Sequence, residues 1–333
     1  YANADVAGTD NDGVVRVHLN MDHPAVTGFV NTDAMWKAID TSAKAAIEAA
    51  AAYVTNLSGY DTNSNGTLES TELHFVTLFA GFEMSSDPED HKNAIWAHAM
   101  SYGTPGVGDL GGGLKLEGYM AVGEKMEVSP ITIGVFCHEL GHSLGLPDLY
   151  DYGNESLGLG PHSLMAAGSW GAVGNEPRGT TPVHLDAWSK IQLGFLSPTN
   201  VSGDGTYNVN DQSTPDYNVL KIGNGLPGQY FLIERRAQTG FDGGMDYYGI
   251  NSGVAIYHID ENVIAYGNKY LDGLINENEY RKAVDLEEAN QGTLEYSELD
   301  TDSFFWDGKH YFTAAIGMNS FGAATNPSSG LYD

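Results

Sequence analysis

The chain has 333 residues, 41% of them apolar and 18% charged, with 42 glycines and 12 prolines, which is the composition of a loop-rich globular protein and a length that favours two cores over one. Its 15 basic residues face 44 acidic ones, and the resulting net charge of −29 argues against nucleic acid and anionic membrane surfaces as partners; no apolar run of about 18 residues is present to cross a bilayer. A single cysteine excludes an internal disulfide, leaving metal ions as the alternative staple, and the surplus of carboxylates suits a hard cation such as calcium. The sequence starts at Tyr1 with neither an initiator methionine nor a basic-then-apolar leader, the form expected of a processed, secreted protein.

In chain order, the first expected element is a strand over residues 14–21, VVRVHLNM. A long helix over AMWKAIDTSAKAAIEAAAAYV follows, favoured by its alanines and capped by Thr32 or Asp33. Residues 61–72, DTNSNGTLESTE, fit the twelve-residue calcium-loop template. Asp61, Asn63 and Asn65 stand at positions one, three and five, Gly66 permits the bend, Thr67 offers its carbonyl, Glu69 reaches through water and Glu72 closes the loop bidentately. The next segment reads as strand, so a structural calcium site between helix and strand fits better than a sensor; an asparagine-rich turn without an ion is the plain alternative. GTDNDG near the start and GFDGGMD at 240–246 are weaker calcium candidates. LHFVTLFAG, residues 73–81, is expected as a buried central strand, and AIWAHAM and LKLEGYMAV add two more around a glycine-rich loop.

The stretch CHELGHSLGLPDLYD, residues 137–151, concentrates the chemistry. Ser129 can cap a helix whose first residue is Pro130, with Ile133, Phe136, Cys137, Leu140 and Leu144 on one face expected to pack inward. His138 and His142 are four residues apart, about 40° round a helix, so both imidazoles can grip one ion. Glu139 lies too far round to share that ion but is placed to reach a water on it, as the general base of a zinc peptidase does. Gly145 supplies a left-handed stop, after which Asp148 offers a third ligand, with Asp151 as its rival. Gly145 and Asp148 match the metzincin pattern HExxHxxGxx plus a ligand, aspartate standing where histidine is commoner. The alternative is a structural helix with two solvated histidines.

Met165 in HSLMAAGSWG is spaced for the methionine-containing turn beneath such a site, ordinary core being its plain reading. His162 reads as a loop residue and Cys137 as a buried structural thiol. In TPVHLDAWSKIQLGF a helix capped by Thr181 and opened by Pro182 runs to near Gly194, packing Leu185, Trp188 and Ile191 beneath the site, with His184 structural. After Ser197 the runs YNVLKIG, QYFLIERR, GVAIYHID, KAVDLEEA and HYFTAAIG alternate with turn residues, as in an antiparallel β domain.

With these residues assembled, the chain resembles the immune inhibitor A-like family of secreted bacterial metallopeptidases, grouped with metzincin-type zinc proteases. HELGHSLGLPDLYD, SLMAAGSWG, TPVHLDAWSKIQLGF, QYFLIERRAQTGFD and GVAIYHIDEN carry the resemblance between residues 74 and 290. It implies His138, His142 and Asp148 as ligands of one catalytic zinc, Glu139 as catalytic base and Met165 as the supporting turn. Ala167 stands where some metzincins carry a tyrosine, two residues after Met165, so the group that steadies the oxyanion is not identified. The expected fold is α+β: a zincin-like catalytic domain with a mixed sheet and active-site helix over 1–197, then a β-rich, sandwich-like domain over 198–333 whose continuity with the first is left open. The expected activity is that of a secreted zinc endopeptidase with calcium as a structural ion and proteins or peptides as substrates. A calcium-stabilised adhesion module with an inactive zinc-like helix, and a zinc hydrolase of small amides or esters, are the rival readings.

Overall fold

Eight alanines and an apolar residue at every fourth position build the first helix, α1 (Asp33–Ala51), which buries Met35, Ile39, Ala43, Ile47 and Ala51 along one stripe. The computed structural model describes residues 13–24, 33–86, 94–126, 129–223, 225–271, 273–290, 298–301, 308–325 and 327–329. The expected cap Thr32 and the GTDNDG segment, save Gly13, lie outside them. The class is α+β, and the chain divides by compactness into residues 1–144 and 145–333. Among the described residues no helix is long and apolar enough to cross a membrane.

In the first unit, β1 (Thr67–Leu68) pairs in parallel with β5 (Lys115–Leu116). The main sheet holds β2 (Val76–Glu83), β3 (Ala94–Ile95), β4 (His98–Ser101) and β6 (Gly118–Lys125) in the order β3-β2-β6-β4, with β4 antiparallel and the rest parallel. Residues 14–21 form no strand beyond one bridge position at Val17. β2 is interior to the sheet as expected but not buried throughout: Val76 is 40% and Leu78 60% exposed, so one face of the strand is open. AIWAHAM is two strands on opposite edges of the sheet, because the chain crosses its end at Trp96 and Ala97. Glu83 pins that crossing: its Oε1 accepts from the Ala97 N–H (3.0 Å) and its Oε2 from the Gly123 N–H (2.8 Å). LKLEGYMAV likewise breaks at Glu117, whose N–H donates to the Leu68 carbonyl and whose own carbonyl accepts from Tyr102.

The histidine-bearing helix α2 (Ile133–Ser143) packs against β4 and β6. It starts later than the Ser129–Pro130 pair suggests, because those residues turn back onto the sheet: the Ser129 carbonyl accepts from Met126 N–H, Pro130 bridges Lys125, and Ile131 N–H donates to Glu124. Thr132 takes the N-cap position without a side-chain capping bond, its hydroxyl donating to Met126 Sδ instead (3.4 Å). The expected inward face is also corrected. Ile133 is 45% exposed and Leu144 is exposed, whereas Gly134, Val135, His138, Glu139 and Gly141 are buried. Gly134 and Gly141 lie on the buried side of the helix, and His138 and Glu139 are buried with them.

In the second unit, β7 (Thr199–Val201), β8 (Val219–Gly223), β9 (Gln229–Arg236), β10 (Gly253–Asp260) and β11 (Val284–Leu286) form one sheet in the order β11-β10-β9-β8-β7. β8 to β11 are antiparallel and β7 joins β8 in parallel, and among the described residues this is the one sheet of the second unit. HYFTAAIG yields bridges at Phe312 and Thr313 and a 3-10 turn rather than a strand. α3 (Ala187–Gln192) is shorter than expected. Asp186 displaces Thr181 as its cap, accepting from the Ser189 N–H (3.0 Å), while the Thr181 hydroxyl donates to Glu176. A last helix, α4 (Glu261–Tyr270), follows β10 directly and is capped by Asp260.

Arg236, at the end of β9, is wholly buried. Its Nε donates to Asp242 Oδ2 (2.7 Å), one Nη to Asp242 Oδ1 (2.5 Å), and the other to the His162 carbonyl (2.9 Å) and the Tyr257 hydroxyl (3.2 Å). Asp242 belongs to GFDGGMD, so this ion pair occupies one of the two carboxylates that the segment offered to calcium.

Two expected outcomes follow. Burial lifts the Glu83 carboxyl to about 7 from 4.5, so the folded state holds a proton that the unfolded state releases, and stability falls as pH rises through that window. Urea titrations should show wild type losing on the order of 3 kcal/mol relative to Glu83→Gln between pH 4 and 8; a flat difference contradicts the assignment. Arg236→Leu strands Asp242 as a buried charge and should cost about 3–5 kcal/mol of unfolding free energy, whereas a loss below about 1 kcal/mol is what an exposed pair would give.

Candidate active site

The one-turn separation of His138 and His142 on α2 brings their Nε2 atoms to 3.2 Å, with the rings 4.7 Å apart and nearly perpendicular (86°). His138 is buried and His142 half-buried. The helix ends at Leu144, whose N–H still bonds to Leu140, and Gly145 takes φ = +96°, a conformation that lets the chain leave the helix axis at once. Three residues later comes Asp148. One donor atom each from His138, His142 and Asp148 lie within 4.8 Å of one another, a group able to hold a metal ion.

The donor set fits zinc. Two nitrogens at Zn–N distances of 2.0–2.1 Å in a tetrahedron stand about 3.3 Å apart, close to the 3.2 Å observed. Two imidazoles and one carboxylate also leave a fourth position for water or substrate, as catalytic zinc sites do. Asp151 is not in the group. Its Oδ1 accepts from Gly153 N–H (2.7 Å) and its Oδ2 from Ser156 N–H (2.8 Å), so both oxygens close the turn that follows Asp148. Glu139, buried next to His138, brings a carboxylate to the same helix.

Two residues that sequence reasoning did not single out join this region. The Tyr152 hydroxyl donates to Asp148 Oδ2 (2.6 Å), and the Tyr152 N–H donates to Glu277 Oε1 (3.0 Å). Tyr152 lies one helical spacing beyond Asp148 and was open to inspection; Glu277 is 125 residues away and left no local trace. Met165 is fully buried, with its carbonyl accepting from Leu149 N–H (2.8 Å) and its N–H donating to Ser163 Oγ (3.1 Å). Ser163 in turn donates to Asp186 (2.7 Å).

His162 is a buried residue of a 3-10 turn rather than a loop residue. Its Nδ1 meets the Tyr311 hydroxyl (2.7 Å) and its Nε2 meets His310 Nδ1 (2.8 Å), and burial holds it neutral by pushing its pKa well down. His310 continues to Glu298, so this hydrogen-bond chain closes inside the second unit. The His184 backbone N–H donates to Asp242, its ring meets that of Phe241 edge-on, and burial lowers its pKa. The Cys137 thiol is half-buried and burial raises its pKa.

In the 61–72 loop, Gly66 adopts φ = +78°. Asp61 accepts from the Asn65 and Gly66 N–H groups (3.1 and 3.0 Å), Asn63 from Asn65, and Asn65 from Thr67 (2.8 Å). Glu72 closes the loop by accepting from the Thr62 hydroxyl (2.8 Å), which holds its carboxyl below the ordinary range, and Glu69 accepts from the Asn63 and Asn65 amides. These bonds close the loop on itself, and its carboxylates are turned toward loop N–H and hydroxyl donors.

Residues 31–196 match the family model described as the immune inhibitor A peptidase M6 catalytic domain. The chain is similar to the pre-pro-metalloprotease PrtV of Vibrio cholerae serotype O1, 31% identical over 145 residues, covering 39% of this chain and 15% of that protein. It is also similar to immune inhibitor A of Bacillus thuringiensis subsp. alesti, 29% identical over 141 residues, covering 39% of this chain and 20% of that protein. The matched part thus spans no more than a fifth of either curated relative.

Proposed function

Because the chain belongs to the immune inhibitor A peptidase M6 family, a family of metallopeptidases, we propose that it is a secreted zinc-dependent endopeptidase acting on protein substrates. The observation that carries this reading is the pair of Nε2 atoms held 3.2 Å apart on α2, with Asp148 completing the donor group. His138, His142 and Asp148 would hold the ion. Bound zinc would supply Lewis acidity toward the scissile carbonyl and the attacking water.

Glu139 does the proton work. One residue from His138, its carboxylate takes a proton from the attacking water and returns it to the leaving amine, a shuttle that asks one group to be base and then acid. Its burial within α2 keeps bulk water from competing for that proton. Met165 serves as the supporting turn, through its hydrogen bond to the residue after Asp148. The −29 charge keeps such an enzyme soluble outside a cell and favours neutral or basic substrate proteins. The 61–72 loop is proposed as a structural calcium site through Asp61, Asn63, Asn65, the Thr67 carbonyl and Glu72, supported by its match to the template.

Glu139→Gln should retain about one zinc per chain by elemental analysis while casein cleavage falls at least about 100-fold. Cleavage that survives this change refutes the base, and turnover confined to small amides refutes the endopeptidase. A zinc-selective chelator should abolish activity and added zinc restore it. Calcium at about 100 times its Kd should add about 2.7 kcal/mol of stability to wild type but not to Asp61→Ala, with zinc content equal in both; a thermal melt indifferent to calcium removes this site from the proposal.

A further inference from the structure

A carboxylate that ligates a metal through one oxygen can still rotate about its Cβ–Cγ bond. A donor on the other oxygen stops that rotation, and losing such a partner typically lowers metal affinity 10- to 100-fold. Asp148 has a partner of this kind. The Tyr152 hydroxyl donates to its Oδ2 at 2.6 Å, within the range of charge-assisted O–H···O⁻ bonds.

The tyrosine is itself held at three points. Its N–H donates to Glu277 Oε1 (3.0 Å), its ring lies 4.9 Å from that of Tyr150 at a 37° tilt, and the intervening Asp151 closes the turn through Gly153 and Ser156. Yet Tyr152 is 51% exposed, so its side chain contributes little to the core. A phenol that is anchored at its backbone, open to solvent on its ring and hydrogen-bonded at its tip is arranged around that tip.

From this arrangement we infer that Tyr152 is a positioning residue for the metal: its hydroxyl fixes the Asp148 carboxylate in the orientation that completes the His138–His142 pair, and Glu277 fixes Tyr152. The inference rests on the proposal that these three side chains bind zinc. It assigns to this chain a hydrogen bond that neither HExxH nor its extension encodes, because the donor lies beyond the motif and its anchor lies in the far part of the sequence.

The test is zinc affinity of the full chain, read by competition with a chromogenic chelator, for wild type, Tyr152→Phe, Glu277→Ala and Asp148→Ala. Tyr152→Phe should bind zinc 10- to 100-fold more weakly, with the melting temperature of the metal-free protein unchanged. Glu277→Ala should weaken binding in the same direction but less. Zinc affinity of Tyr152→Phe within two-fold of wild type, alongside a large loss in Asp148→Ala, overturns the inference and leaves the zinc site standing. Equal affinity of wild type and Asp148→Ala overturns the ligand assignment, and this inference with it.

Discussion

A guanidinium removed from water must be given acceptors in its own plane, and in the second unit this requirement fixes much else. Arg236 has no exposed surface, and its donors reach Asp242, Tyr257 and the His162 carbonyl. Asp242 is drawn in as its counter-ion and also receives the His184 N–H. The 3-10 turn that ends at His162 and the segment around residue 184 are thereby tied to the end of β9. An unpaired charge in that position would cost several kcal/mol, so the pair acts less as added stability than as a condition on how the segments lie.

That condition extends to the chemistry. The segment after His162 carries Ser163, held by the Asp186 cap of α3, and then Met165, whose carbonyl receives the Leu149 N–H. Leu149 follows Asp148. A chain of hydrogen bonds therefore leads from a buried charge on the sheet to the neighbour of a proposed ligand, which is how a short irregular turn keeps a carboxylate in place. The histidine pair needs no such chain, since one helical turn sets its geometry.

What was legible in the sequence was local. HExxHxxGxxD specifies a helix, a left-handed exit and a returning carboxylate within eleven residues, and the structure brings His138, His142 and Asp148 together accordingly. QYFLIERR and GVAIYHID form strands over the residues expected, because both faces of those strands are largely buried and their apolar runs are unbroken. Misreadings came where tertiary contacts overrode local signals. Ser129 and Pro130 look like a helix start but pair with the sheet, and Thr181 looks like a cap but spends its hydroxyl on Glu176. The buried side of α2 followed its glycines rather than its leucines. Glu83, Arg236 and the Tyr152–Glu277 contact were invisible because each depends on partners brought together by the fold. The expected boundary near 197 tracks composition, whereas compactness divides the chain after Leu144.

Cys137 stands one residue before the first histidine of the motif, half-buried on α2, with its thiol pKa raised by desolvation. Sulfur in that protonated form is a poor nucleophile. Few thiolates are then present there to attack a disulfide or an oxidant in the surroundings. Cys137 also lies about 140° round the helix from His142, so the helix carries an odd sulfur beside two imidazoles with the thiol turned away from the ion they would share.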